Sequence, residues 1–141
     1  MSRAARTISL LALAASLTLG TWTLFGPTYS YCRTSLSPGS PARTECGTSN
    51  LVTVQADHLF PAPLLFIAAW ALAPALAVIG TRSGSRGVAL AYTGLALAID
   101  ASSFISMGGG FVFALLVAPL LLATLVLIAM ARRDSTTIAL G

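Results

Sequence analysis

The sequence has no lysine, one histidine and two cysteines in 141 residues, and only 9% of its residues are charged. A zinc site needs three or four His, Cys or carboxylate ligands, and two cysteines with His58 make a poor set. Phosphate-binding glycine loops, paired-histidine zinc helices and serine nucleophile elbows are absent as well. These absences predict a protein without a metal site, without a cofactor and without enzymatic activity.

Positive charge is present but is not concentrated anywhere in the chain. All eight basic residues are arginines, they are scattered, and the formal net charge is +4. Binding to nucleic acid relies on a basic stripe or patch that neutralises phosphates, so this scattering predicts no nucleic-acid partner. Arginine without lysine, together with abundant Ala, Leu and Gly, is typical of GC-rich bacterial genomes, so we expect a bacterial protein.

Long apolar runs make up most of the chain, since 56% of the residues are hydrophobic. A helix crosses the hydrocarbon core of a bilayer with about 20 apolar residues, and four runs reach this length. The sequence therefore predicts an all-α membrane protein, a single domain over residues 1–141 that forms a four-transmembrane-helix bundle. The predicted helices cover residues 7–25, 59–80, 88–107 and 111–131, and a polar loop covers residues 27–58.

The first run, Thr7 to Phe25, has a second interpretation as a cleaved signal peptide. Both kinds of segment combine a basic flank with an apolar core. A run of 19 uncharged residues exceeds the usual signal core of about 7–15 residues, and no Ala-x-Ala cleavage site follows it. We therefore expect a spanning helix.

The arginines predict the orientation of these helices. Two of them, Arg33 and Arg43, lie in the loop 27–58, and six lie near helix ends on the opposite side. The side richer in arginine is usually cytoplasmic, so we expect both termini in the cytoplasm and the loop outside the inner membrane of a bacterium. The six cytoplasmic arginines are Arg3, Arg6, Arg82, Arg86, Arg132 and Arg133.

The outer loop carries both cysteines, Cys32 and Cys46. An oxidising compartment favours a disulfide between them over free thiols. The 13 residues between them exclude a Cys-x-x-Cys redox motif. In the chain-entropy model, a crosslink of this loop length stabilises the fold by about 3 kcal/mol. We expect this disulfide to hold the loop.

Turn signals and alternation predict a short two-stranded hairpin in the same loop. Ser37 to Pro41 is rich in Pro, Gly and Ser, which favour tight turns. Tyr29, Tyr31 and Arg33 alternate along one side of an extended chain, and Leu51 to Val54 is rich in strand-forming residues.

Asp100 is the one ionisable residue inside an apolar run. An aspartate near the centre of a membrane helix costs about 2.5–3.5 kcal/mol, so we expect it to face the protein interior or a watery cavity. At about 1.5 Å per residue it lies about 10 Å inside the outer end of the third helix. Helical spacing places it on a small, polar face made of Ala89, Thr93, Ala96, Asp100 and Ser103.

Two roles are open for Asp100. In the functional role, Asp100 binds a proton or a cation. In the structural role, it is a protonated carboxyl that hydrogen-bonds across helices and only holds the bundle together. The candidate hydrogen-bond partners are Thr18 and Thr21 of the first helix and the carbonyl freed by Pro119.

Three further patterns concern the helices themselves. Ala12, Ser16 and Gly20 recur every four residues, which predicts close packing of the first helix against another backbone. Pro74, inside the second helix, predicts a kink and a Trp70 carbonyl that needs a new partner.

Just before that helix, Asp57 and His58 predict an N-terminal cap, with sensing of external acidity by the histidine as the alternative.

No motif assigns a particular activity to the chain. The leading hypothesis is a non-enzymatic accessory or envelope protein that acts through helix and loop contacts. The alternative is a small transporter or channel subunit that uses Asp100 as a proton or cation site. The expected partners are the lipid bilayer and either further copies of the chain or another membrane protein.

Overall fold

The computed structural model describes residues 3–35, 41–54, 59–105 and 110–131. Its regular structure is mostly helical, with one small hairpin. As predicted, four helices are long and apolar enough to cross a membrane. These helices cover Arg3–Phe25, Ala62–Arg82, Arg86–Ile105 and Phe111–Met130.

The elements are labelled in chain order, and two of the four spans contain an irregularity. The third span ends in the 3-10 turn Ser103–Ile105, and the fourth is divided at Val117. The elements are α1 (Arg3–Phe25), β1 (Tyr29–Ser35), β2 (Arg43–Ser49), α2 (Leu51–Val54), α3 (Ala62–Arg82), α4 (Arg86–Ser102), α5 (Phe111–Leu116) and α6 (Ala118–Met130).

Several predicted features lie outside the described residues. They are the loop turn at residues 37–40, the pair Asp57 and His58, the glycines at positions 108 and 109, and the arginines at positions 132 and 133. The cap at Asp57, the acidity sensor at His58 and the cytoplasmic orientation of the termini therefore stay predictions.

The chain divides into two compact units, and the unit of residues 21–65 contains the hairpin. Strands β1 and β2 pair antiparallel over seven residue pairs, from Tyr29 opposite Ser49 to Ser35 opposite Arg43. In this register Cys32 lies directly opposite Cys46, and the two form a disulfide. Six of the seven residues of β1 are exposed. A free hairpin this short is marginal in water, so the crosslink is a main source of its stability.

The predicted second strand at Leu51 to Val54 is wrong. The partner strand is Arg43–Ser49, and Leu51–Val54 is the single helical turn α2. Asn50 starts this turn, because its side-chain Oδ1 accepts a hydrogen bond from the backbone N–H of Thr53 at 2.8 Å. A side-chain cap at the start of a helix satisfies a free N–H. Here that cap outweighs the strand preference of the β-branched residues.

The second unit contains residues 1–20 and 66–141, and small side chains dominate its core. The buried residues of α1 are all Ala, Ser or Gly, whereas Leu10, Leu11 and Leu17 are exposed on the outer face of that helix. All four spans contribute to one apolar cluster. This cluster consists of Ala12, Ala77, Ala96, Val117 and Leu121.

Close approach of α1 and α3 confirms the packing role predicted for the small-residue stripe. A Cβ atom added to Gly20 would lie 2.9 Å from the Cβ of Ala71, which is too close for two carbon atoms. Between α3 and α4, a Cβ at Gly80 would lie 2.9 Å from the Cβ of Tyr92. Only glycine fits at these two positions without a shift of the neighbouring helix.

Pro74 lies inside α3, and the consequence predicted for Trp70 is observed. Proline has no N–H, so residue 74 cannot donate to the carbonyl of Trp70 four residues earlier. The Ser16 hydroxyl of α1 donates to that carbonyl at 2.9 Å instead. A serine on the small-residue face thus satisfies a backbone group that the proline leaves without its usual partner.

Pro119 interrupts the fourth span. It occupies the first turn of α6, where the missing N–H costs little. The backbone stays connected through Val117, whose N–H donates to the Phe113 carbonyl at 2.8 Å and whose carbonyl accepts from the N–H of Leu121 at 3.1 Å. The predicted span 111–131 is therefore present as Phe111–Met130, with a break at Val117 between α5 and α6.

We predict that Ser16 and Pro74 are energetically coupled. Ser16→Ala should lower the free energy of unfolding by about 1 kcal/mol, because the Trp70 carbonyl loses its partner in a buried place. In the Pro74→Ala background, residue 74 regains an N–H that can donate to Trp70, so the same serine substitution should cost less. SDS-induced unfolding of the four proteins measures this cycle. A coupling of about 0.5 kcal/mol or more is expected, and strictly additive costs would contradict the assignment.

Candidate functional site

Helix α4 presents the face that its helical spacing predicts. Its buried residues are Ala89, Thr93, Ala96 and Asp100, and Ser103 of the following turn is buried on the same side. Leu95 points the other way and is 53% exposed. The third span therefore buries its small and polar residues and exposes large apolar ones, which is the reverse of a helix in a soluble protein.

Asp100 is completely buried, with 0% exposed surface. Its neighbours on α4 lie in apolar surroundings: Ala96 belongs to the cluster shared by the four spans, and Ile99 packs against the cluster of Trp70 and Phe113. Asp100 lies in the last turn of α4, just before the 3-10 turn Ser103–Ile105, and the Ser103 hydroxyl donates to the Asp100 backbone carbonyl at 2.6 Å. The side chain is thus placed in the core by the end of a helix.

Neither side-chain oxygen of Asp100 has a hydrogen-bond partner among the described residues. The predicted bond from Thr18 or Thr21 is therefore wrong, whereas the bond to the carbonyl freed by Pro119, which needs a protonated carboxyl as its donor, stays a prediction. Thr18 is exposed and donates to the Ala14 carbonyl of its own helix at 2.8 Å. A threonine hydroxyl readily bonds back to a carbonyl one turn earlier, which is why helical height alone did not identify a partner.

Thr93 is the second unpartnered group on the same face. It is fully buried, and its Oγ1 has no hydrogen-bond partner in the part of the chain that is described. It precedes Asp100 by seven residues, or about 10 Å along the helix axis. The other buried hydroxyls of this unit are bonded; for example, Thr124 Oγ1 donates to the Leu120 carbonyl at 2.9 Å. Unpartnered polar groups are therefore concentrated on α4.

The residues that the structure describes place no cationic side chain in the core beside Asp100. Among the buried residues of the described chain, Asp100 is the only one with an ionisable side chain. Two arginines of this unit instead form hydrogen bonds at helix ends. Arg6 Nε donates to the Thr81 carbonyl at 3.3 Å, and an Arg86 guanidinium nitrogen donates to the Ala129 carbonyl at 2.9 Å. These two contacts complement the negative ends of α3 and α6, and no pattern in the sequence predicts them.

The hairpin is a separate candidate site, because its two faces differ in chemistry. Strand alternation places Tyr29, Tyr31 and Arg33 on one face, together with Arg43 and Glu45 of the opposite strand. We call this set the tyrosine–arginine face. The other face carries the disulfide between Cys32 and Cys46 and the cross-strand hydroxyl pair Thr34 and Thr44, whose oxygens lie 3.1 Å apart.

Two contacts organise the tyrosine–arginine face. Arg43 Nε lies 3.3 Å from a carboxylate oxygen of Glu45, and both side chains are more than two-thirds exposed. The ring of Tyr31 lies across Gly47 on the facing strand, since a Cβ at that glycine would lie 3.0 Å from the tyrosine hydroxyl. An aromatic ring over a cross-strand glycine shields the backbone there. Tyr31 nevertheless stays 52% exposed.

The described residues contain no group of three or more His, Cys, Asp or Glu side chains that is able to hold a metal ion. Both cysteines are used in the disulfide. The histidine and two of the four acidic residues fall outside the described ranges. The predicted absence of a metal site stays a prediction.

Comparison with protein-family models, with characterised proteins and with solved structures finds no match to this chain.

We predict opposite effects of removing a hydroxyl from two buried threonines. Thr93→Val replaces an unpartnered hydroxyl with a methyl group of similar shape, so the free energy of unfolding should stay the same or rise. Thr124→Val, the matched control, removes a bonded hydroxyl and should cost about 0.5–1.5 kcal/mol. SDS titration of both variants measures the difference. A larger loss for Thr93→Val than for Thr124→Val would show that Thr93 has a partner.

Proposed function

We propose that this chain is a multi-pass protein of a bacterial inner membrane, in which the four spans form a helical bundle. Support comes from the distribution of side chains on the spans: small residues are buried, whereas large apolar residues such as Leu72, Ile79 and Leu122 are more than half exposed. Soluble proteins rarely expose so much apolar surface, and lipid chains would cover it.

Within that setting, we propose a non-enzymatic role as an accessory or envelope protein that contacts a partner through the hairpin. The observation that carries this proposal is the tyrosine–arginine face, which is held rigid by a disulfide behind it and remains exposed. Tyr and Arg, together with Trp, are the residues enriched where a few contacts dominate binding. A rigid strand pair also loses little entropy when it binds.

The partner that fits this face is a protein with an acidic contact surface outside the cytoplasm. Arg43 forms a salt bridge with Glu45, and it is the only salt bridge found among the described residues. Arg33 takes no part in it. The face therefore carries a net positive charge, which complementary acidic groups would balance. The arginine distribution along the chain favours the outer side of the membrane for this hairpin.

A photo-crosslinking amino acid placed on either face of the hairpin tests this role. At position 31 in native membranes it should give one adduct, whereas at Thr48, on the opposite face, it should give none. Charge reversal by Arg33→Glu should reduce the adduct at least about tenfold, as expected for loss of a close charge pair. An adduct with twice the mass of the chain would instead identify a second copy. Equal adducts at both positions would contradict a specific face.

A second candidate function is a small transporter or channel subunit that uses Asp100. One observation favours it: a fully buried carboxyl without a partner is rare and costly, and in membrane helices such groups commonly belong to ion or proton pathways. Small-residue helix faces suit packing between copies as well as within one copy.

Proton flux into liposomes tests the second candidate. Liposomes that contain the purified protein and an internal pH-sensitive dye should acidify under an imposed membrane potential. Asp100→Asn should reduce the rate to that of empty liposomes, whereas Glu45→Gln, a change of an exposed hairpin carboxyl, should leave it intact. A wild-type rate equal to that of empty liposomes would reject transport of protons.

A further inference from the structure

The carboxyl of Asp100 has three properties that together define the ligand it takes. It is completely buried, both of its oxygens lack partners among the described residues, and no other buried residue described there is ionisable. An ionised carboxylate in such a place is strongly unfavourable unless a positive charge is bound to it. The described residues supply no such charge at Asp100, which leaves a proton or a metal cation from solution as its source.

The surroundings favour a proton over a metal cation. Alkali and alkaline-earth cations need about six oxygen ligands in protein sites. The buried side chains of the described spans offer few oxygens to such a cation, and the orientation of two serine hydroxyls is fixed by bonds to backbone carbonyls. Ser16 Oγ donates to the Trp70 carbonyl, and Ser103 Oγ donates to the carbonyl of Asp100 itself. Thr93, the unpartnered hydroxyl, lies about 10 Å away along α4.

In the described parts of the neighbouring helices, no titratable side chain is buried toward the core. The buried residues of α1 are Ala, Ser and Gly, and those of α3 comprise small, aliphatic and Trp side chains with one Pro and one Thr. The buried residues of α5 and α6 are Phe, Ala, Leu, Thr and Ile. Tyr92 is the other ionisable group in the middle of α4; it lies about two turns before Asp100, is exposed, and has its Cβ against Gly80 of α3.

We propose that Asp100 is a proton-binding site, and that the closed core seen here is its proton-loaded state. A proton from water adds to one carboxylate oxygen, which removes the negative charge and forms an O–H bond. Release of the proton to water restores the carboxylate and requires entry of water or movement of α4, because the closed core offers no counter-charge. The inference deepens the second candidate function, since it names the ligand of that site, but it also holds in a protein that does not transport protons.

Infrared spectroscopy of the protein in lipid nanodiscs tests the proposal directly. A protonated carboxyl has its own C=O stretching band, distinct from that of a carboxylate. The wild-type protein should show this band at neutral pH, and Asp100→Asn should lose all of it. Two controls should keep it: Glu45→Gln, and the double variant Asp57→Asn/Asp134→Asn, which together remove the other three acidic side chains of the chain.

A second measurement keeps the test decisive even where Asp100→Asn does not fold. Wild-type protein that carries aspartate with carbon-13 in the side-chain carboxyl should show the band shifted to lower frequency, whereas labelled glutamate should leave it in place. Absence of the band in folded wild-type protein, or its loss when sodium or potassium is added at constant pH, would overturn the proposal. Failure of the liposome experiment with the infrared band present would reject transport and leave the proton site standing.

Discussion

Close approach of helix backbones is the constraint on which the rest of this structure depends. Lipid chains are as apolar as leucine, so helices in a membrane gain little from hiding apolar side chains and instead gain from tight packing and hydrogen bonds. The buried face of α1 meets this requirement, because it contains only Ala, Ser and Gly. At Gly20 the neighbouring helix is so close that even a methyl group does not fit without a shift.

This closeness explains how a proline is tolerated inside α3. Ser16 reaches the Trp70 carbonyl across the helix interface at 2.9 Å, and a larger residue in the α1 stripe would hold the two backbones too far apart for that bond. The same tight core explains the isolation of Asp100. A core made of small side chains leaves little room for water, and its hydroxyls mostly bond to carbonyls of their own helices. The carboxyl is thus enclosed without being paired.

Much of this arrangement follows from the sequence by simple periodicity. The length of the apolar runs predicts four spans, and a spacing of three to four residues predicts the buried face of α4, including Thr93 and Asp100. Proline chemistry predicts that the Trp70 carbonyl needs another partner, although only the structure identifies Ser16. In each case one local rule acts on one helix, so no knowledge of the other helices is required.

Features that depend on competition between neighbouring groups are harder to predict. The one-turn helix at Leu51 to Val54 forms because Asn50 caps it, against the strand preference of its own residues. The threonine predicted as a partner for Asp100, Thr18, is exposed and bonds within α1 instead. The arginine contacts to the carbonyls of Thr81 and Ala129 depend on which helix ends lie side by side. Such pairings are properties of the assembled core.

The central claim is that four spans pack in a membrane with the Asp100 face inward. A scan of single nitroxide labels along residues 88–103 tests it most directly, because oxygen dissolved in lipid reaches only the outward positions. Accessibility to oxygen should vary with the helical period, with minima at positions 89, 93, 96 and 100 and a maximum near Leu95. High accessibility at positions 96 and 100, or no periodic variation at all, would contradict the account.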